Sequence, residues 1–252
     1  YAEAYNNLGI ALKKQGNLVE ALEAYNKALF IKPHYSEALN NMGVALKNQG
    51  KLKEAIEAYK NAISTKPDYT DAYYNMGIAL QDQGKLEEAI QSYKKVLSIK
   101  PYFVEVYNNM GVVFKDQGKL EEAMNAYNKA LVIKPNYAEV YNNMGVALTN
   151  IIFKKPNRGL QNTISSLLDK KIHARPTDIA AAAISLLKFE PSLQKQLKLV
   201  SRDNVIHNPL EIISDLDQLP LLRNLMSVCP IPDLELEKLF KKLRASILEN
   251  FT

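Results

Sequence analysis

Residues 5–33 read Tyr5-Asn6-Asn7-Leu8-Gly9-Ile10-Ala11-Leu12-Lys13-Lys14-Gln15-Gly16-Asn17-Leu18-Val19-Glu20-Ala21-Leu22-Glu23-Ala24-Tyr25-Asn26-Lys27-Ala28-Leu29-Phe30-Ile31-Lys32-Pro33, and the pattern returns along the chain with a fixed step. Gly9, Gly43, Gly77, Gly111 and Gly145 are each 34 residues apart. The same step joins Gly16, Gly50, Gly84 and Gly118; Ala21, Ala55, Ala89 and Ala123; Tyr25, Tyr59, Tyr93 and Tyr127; and Pro33, Pro67, Pro101 and Pro135. A period of this length marks a stacked array of small supersecondary units. Within one unit, Ala4, Leu8, Ala11 and Leu12 follow helical spacing, and Leu18, Ala21, Leu22, Tyr25 and Ala28 do so again, which predicts two amphipathic helices, A and B. Gly16 stands where a left-handed residue ends helix A, and Pro33 stops helix B. The small residues Gly9 and Ala21 let the two helices approach closely, with Tyr25 filling the space beside them. Asp68 with Asp71, and Asn136 with Glu139, have the spacing of capping boxes at the next helix A.

Tyr5-x2-Leu8-Gly9-x2-Leu12, followed by Ala21-x3-Tyr25, Ala28 and Pro33, resembles the tetratricopeptide repeat (TPR), with Tyr in place of the motif's first Trp and Leu in place of its first Tyr. The resemblance implies an all-α fold, a right-handed TPR superhelix (α-solenoid) with an inner groove, followed by a non-repeat helical extension. Four units, 1–34, 35–68, 69–102 and 103–136, are complete. A fifth keeps helix A through Tyr141-Asn142-Asn143-Met144-Gly145, then has Ile152, Lys154, Asn157 and Gln161 where the period calls for Gly, Leu, Ala and an aromatic residue. The expected organisation is therefore a TPR array over 1–150 and a helical extension over 151–252 that packs on it. Phrases such as Tyr5-Asn6-Asn7-Leu8-Gly9 and Tyr107-Asn108-Asn109-Met110-Gly111 are most similar to the repeats of protein O-GlcNAc transferases and their bacterial relatives.

Beyond Asn157 the pattern stays helical without the period. Leu160, Ile164, Leu167 and Leu168 make a stripe suited to replace the missing helix B of the fifth unit. Pro176 fits the first turn of a helix through Ala180 to Leu187 that Pro191 ends, and Asn208-Pro209 opens another. Asp233 is placed to cap a last helix whose apolar side carries Leu236, Leu239, Phe240, Leu243 and Ile247. Stretches such as Pro156-Asn157-Arg158-Gly159-Leu160 and Cys229-Pro230-Ile231-Pro232-Asp233-Leu234 look like the helical region that follows TPR arrays in bacterial multidomain transferases, which implies that any catalytic domain lies outside these residues.

The residues themselves hold little chemistry. Nine of the ten glycines belong to the two ladders, leaving Gly159, so there is no Gly-rich phosphate loop. His34, His173, His207 and the single Cys229 lack metal-ligand spacing. No acid, base and nucleophile cluster stands out, so the expected reading is not an enzyme, with no cofactor and no metal. No apolar run is long enough to span a bilayer, and the lone cysteine suits a reducing, cytoplasmic compartment. The net charge of +5 is not clustered, since the longest Lys/Arg run is two residues, which argues against nucleic acid as a partner.

Two helix-A ladders invite a functional reading. Glu3, Glu37, Asp71, Glu105 and Glu139 are acidic, but each lies in a first turn where it complements the helix dipole. Glu37, Asp71, Glu105 and Ile10 also occupy positions where a co-chaperone that clamps acidic C-termini needs Lys or Arg. Asn7, Asn41, Asn75, Asn109 and Asn143 are more telling, because asparagine is a mediocre helix former with a reason to be elsewhere. Two roles are open: lining an inner groove to hydrogen-bond an extended peptide, or tying neighbouring helices together. The resemblance to O-GlcNAc transferases implies the groove. The companion series Asn6, Asn40, Asn108 and Asn142, interrupted by Tyr74, completes the expected peptide-binding groove. The expected function is a protein- or peptide-binding scaffold, the recruiting arm of a larger protein; the alternative is a structural solenoid that self-associates through its ends.

Overall fold

A computed structural model describes residues 1–170, 175–201, 206 and 208–251. Among these residues every regular element is a helix. The chain divides into two compact units, Tyr1–Lys134 and Pro135–Thr252.

The first unit holds four helical pairs: α1 (Ala2–Lys14) with α2 (Leu18–Ile31), α3 (Ser36–Asn48) with α4 (Leu52–Thr65), α5 (Thr70–Asp82) with α6 (Leu86–Ile99), and α7 (Val104–Asp116) with α8 (Leu120–Ile133). Each pair is an A–B hairpin, each B helix packs on the next A helix, and α1, α3, α5 and α7 also touch in succession. The hairpin turn repeats one device. Gly16, at φ 84°, gives its amide to Lys13 O at 3.1 Å while Asn17 N reaches Leu12 O at 3.0 Å. This pair of bonds satisfies carbonyls that the helix end would otherwise leave open.

Close approach of A and B follows from a glycine and a tyrosine. An added Cβ at Gly9 would lie 2.5 Å from a Tyr25 ring carbon, and one at Gly43 would lie 2.5 Å from Tyr59. Gly77 with Tyr93 and Gly111 with Tyr127 make the same contact. All four tyrosines are fully buried. Their rings fill the space that the missing side chain leaves, together with Ala21, Ala55, Ala89 and Ala123, which are also fully buried. Met42, Met76, Met110 and Met144 hold, at the same step of 34, the position of Leu8, and they lie on the core side, with Met110 and Met144 buried and Met42 and Met76 half-buried; Leu8 is exposed.

The capping boxes do not form. Asp68 and Asn136 lie one residue too early, because the Pro67 and Pro135 turns carry the chain to Tyr69 and Tyr137 before the helix starts. The N-cap is thus aromatic in α3, α5, α7 and α9, with no side-chain cap bond. At α3, α5 and α7 the lysine before the proline folds back over the ring instead: Lys32 Nζ lies 4.5 Å from the Tyr35 centroid, Lys66 Nζ 5.0 Å from Tyr69 and Lys100 Nζ 6.0 Å from Phe103.

The second unit comprises α9 (Ala138–Leu148), α10 (Arg158–Lys170), α11 (Pro176–Leu187), α12 (Pro191–Ser201), α13 (Pro209–Asp217), α14 (Pro220–Val228) and α15 (Leu234–Phe251). Repeat register and packing thus divide the chain at different places, since α9 is fifth in the helix-A register yet belongs to this unit. Helix α11, not α10, packs on α9, while α10 turns to α14 and α11. Residues 151–157 carry the chain away from α9 before α10 begins. The buried Ala180, Ala182 and Ala183 then give α11 the small-residue surface that Ala21, Ala24 and Ala28 give a helix B. Phe153 N donates to Ser185 Oγ at 3.0 Å, fixing this segment to α11. Pro191 opens α12 as well as following α11, in keeping with proline's place in a first turn.

Asp233 caps α15 as expected: its Oδ1 accepts from Glu235 N and Leu236 N, each at 3.1 Å, and its other oxygen lies 2.8 Å from Lys188 Nζ, which also meets Glu235 at 2.7 Å. Burial opposes ionisation of Asp233, but the Lys188 ammonium and the two amides outweigh it and hold its pKa below the ordinary value. A depressed folded-state pKa contributes stability that is present above the unfolded value and is lost as pH falls through the folded one. Asp233→Ala is expected to lower stability by about 1–2 kcal/mol at neutral pH, with the deficit shrinking under acid conditions below the usual aspartate range. Urea titrations at several pH values read this out, and a pH-independent deficit would show that the carboxylate charge is not what matters.

Candidate functional site

The helix-A ladders occupy neighbouring helices that touch in succession, so equivalent side chains in α1, α3, α5 and α7 come together. Asn41 Nδ2 donates to Asn6 Oδ1 at 3.0 Å, and Asn75 Nδ2 donates to Asn40 Oδ1 at 3.0 Å. Asn109 Nδ2 donates to the Tyr74 hydroxyl at 3.4 Å. Each rung therefore joins one repeat to the residue 35 positions earlier, which is the tying role that the sequence left open. The acceptors Asn6 and Asn40, and Asn108 in the same series, are buried, while Asn41, Asn75 and Asn109 are half-buried. Asn7 and Asn142 are exposed and Asn143 is half-buried.

The expectation that both series line one groove meets a geometric limit. Consecutive helical residues point about 100° apart, so two adjacent asparagines face different surroundings. Asn6 and Asn40 are drawn into the seam between repeats, where a buried amide must be paired, whereas Asn142 is exposed. Tyr74, expected to offer an aromatic contact, instead stacks on Phe103 with centroids 5.1 Å apart and tilts against Tyr93 at 6.4 Å. In this rung its hydroxyl takes the acceptor place of the missing asparagine.

The acidic ladder surrounds these amides. Glu37, Asp71 and Glu105 are exposed in first turns, and Ser36 Oγ donates to Glu37 Oε2 at 3.0 Å. Burial, followed by the carboxylates of Asp71 and Glu37 and by Tyr35, pushes the Tyr69 hydroxyl up to about 12, with a hydrogen bond to Asn40 opposing it. Sequence reasoning passed over the hydroxyls of Tyr25, Tyr59 and Tyr127, which are buried and have no hydrogen-bond partner among the described residues. Tyr93 donates to Gln81 Oε1 at 3.1 Å, and Gln81 stands where the other repeats have Lys13, Lys47 and Lys115. That break in a lysine ladder was the available signal.

Among the described residues no His, Cys, Asp or Glu group could hold a metal ion; His173 and His207 lie outside those residues, and His34 is an exposed turn residue. Cys229 is buried, and burial pushes its thiol pKa up. No helix among the described residues is long and apolar enough to cross a membrane.

The family described as TPR repeat matches residues 45–84, 79–118 and 113–150, and that described as Tetratricopeptide repeat matches 2–35, which together make up more than half of the chain. The chain belongs to the tetratricopeptide repeat family. Its TPR fold is similar to that of MamA, at 27% identity over 55% of this chain and 81% of that one, with a TM-score of 0.52. Pseudomonas aeruginosa PilF is similar over 79% of this chain and 90% of its own, at 21% identity and a TM-score of 0.57. YrrB, described as a TPR protein with an unusual peptide-binding site, shares the fold at 21% identity over 68% of this chain and 84% of its own, with a TM-score of 0.53. No curated protein matches the chain.

Proposed function

We propose that the helix-A face of the TPR array binds an extended polypeptide through its asparagine ladder, and that the chain is a recruiting scaffold rather than a catalyst. The observation that carries this reading is the anchoring of Asn41, Asn75 and Asn109. Each gives an N–H to the preceding repeat, which orients the amide; Asn41 and Asn75 keep the carbonyl oxygen and second N–H for other partners, and Asn109, which also hydrogen-bonds Tyr93, keeps its carbonyl oxygen. Half-burial keeps those atoms within reach of a ligand. A row of pre-oriented amides complements a peptide backbone, which offers one donor and one acceptor per residue. Asn7 begins the row in the first unit, Tyr74 varies it at one rung, and Asn143 holds the same helix-A register in the second unit. In a longer protein, such an arm would deliver substrates to a transferase domain outside these residues.

The second reading, a solenoid that needs no peptide, draws on the same bonds, since Asn6–Asn41 and Asn40–Asn75 tie repeats whatever else they do. Fluorescence anisotropy with labelled ten-residue peptides separates the two. Binding is expected near micromolar and insensitive to side-chain order, and N-methylation of alternate backbone amides is expected to weaken it at least tenfold by removing the N–H groups that the Asn oxygens accept. Absence of binding, or equal binding of the N-methylated peptide, would leave the structural solenoid as the reading.

A further inference from the structure

The second unit contains a cavity of about 830 Å³ between α13, α14 and α15, within the size range of built binding sites. Its floor is apolar and well packed: Leu216, Leu222 and Leu243 are buried. Its crests are apolar too, yet open to water, with Ile213 39% and Met226 50% exposed. Apolar surface that continues out of a cavity onto its rim marks an interaction surface.

The charges around it point to the partner. Lys241 is held by Glu237 at 2.8 Å. Arg223 on α14 and Arg244 on α15 are exposed and have no ion-pair partner among the described residues, against two carboxylates in the wall, Asp217 and the Glu237 that pairs with Lys241. Guanidinium groups on two separate helices suit carboxylates distributed along a ligand better than a single acidic headgroup. The spacing agrees. Phe240, Leu243 and Ile247 line the groove along about 10 Å of α15, the length over which a helix presents apolar anchors at i, i+3 and i+7.

We infer that this groove binds an amphipathic helix of a partner protein, its leucine-like anchors seated on Leu216, Leu222 and Leu243 and its flanking Asp or Glu side chains meeting Arg223 and Arg244. The site is distinct from the asparagine ladder, so one chain holds an extended segment on its first unit and a helical one on its second.

The probe is a fluorescein-labelled, amidated 16-residue peptide with Leu at i, i+3, i+7, i+10 and i+14 and Glu, Ala and Gln elsewhere, beside a counterpart with every Glu changed to Lys; palmitate is the third arm. With the full chain, the acidic peptide is expected to bind saturably and the basic one at least tenfold more weakly, with the difference shrinking in salt. Met226→Asp is expected to cost the acidic peptide at least tenfold, and the double variant Arg223→Glu with Arg244→Glu is expected to reverse the preference. All three side chains are exposed, and circular dichroism checks that the variants keep their helix content. Equal binding of both peptides, binding of neither, or binding of palmitate alone would overturn the inference. A concentration-dependent dimer abolished by Met226→Asp would also overturn it, by assigning the groove to a second copy.

Discussion

Gly77→Leu is expected to lower the stability of the array by about 3 kcal/mol or more, because the first atom it adds already overlaps the buried Tyr93 ring. Tyr93 cannot swing aside. It is fully buried among Ala79, Ala89 and Val96, and its hydroxyl is held by Gln81. The A and B helices of the third repeat must therefore separate, and in a stacked array, where each repeat contacts only its neighbours, a weak central unit splits one cooperative unfolding transition into two. Urea denaturation reads both the midpoint and the number of transitions. Gly84→Leu is the control seven residues on: its φ of 77° makes any side chain strained, yet nothing lies within 4 Å of an added Cβ, so the cost is expected to stay near 1–2 kcal/mol. Combining Gly77→Leu with Tyr93→Ala is expected to cost less than the two changes added together, because the second opens the space that the first needs. Strict additivity would mean that the glycine–tyrosine contact does not set the helix spacing.

The parts legible in the sequence are those whose physics is local and repeated. Gly16 and its equivalents reveal helix ends because a left-handed residue is costly for any other side chain, and the Gly9 and Tyr25 ladders reveal a close contact because all four complete units keep a glycine and a tyrosine at these two positions. Asp233 was readable for a similar reason: a cap needs only a few residues on either side of it. Helix starts within the array were not, since the choice between Asp68 and Tyr69 as N-cap depends on how the Pro67 turn is taken up by the preceding Lys66. Beyond residue 150 the period no longer says which helix packs on which. The stripe of Leu160, Ile164, Leu167 and Leu168 correctly marks a buried face, all four being buried, yet an apolar stripe carries no address, and α11 rather than α10 meets α9. The asparagine pairs sit between these cases. Their recurrence marks them as special, and only the seam between repeats shows that Asn6 and Asn40 face inward.

Changing Asn41, Asn75 and Asn109 together to Ala is expected to weaken binding of an extended peptide at least tenfold, because three amide-to-backbone bonds contribute roughly 2–4 kcal/mol in sum. The geometry adds a second expected effect. Removing the Nδ2 donors of Asn41 and Asn75 leaves the buried amides of Asn6 and Asn40 without those partners, and an unsatisfied buried polar group costs about 1–3 kcal/mol. Stability is thus expected to fall even though alanine is the better helix former. The two effects are separated by breaking the ties from the other side. Asn6→Ala with Asn40→Ala removes the same inter-repeat bonds but leaves Asn41, Asn75 and Asn109 in place, so it is expected to cost comparable stability while weakening peptide binding only about twofold to threefold, through looser positioning of the ladder amides. Thermal unfolding and anisotropy on the same samples, at a temperature where all variants are folded, give both numbers. If the triple variant loses stability yet binds peptide as the parent does, or if the two sets lose binding equally, the ladder acts only as the seam between repeats and some other surface of the array holds the ligand.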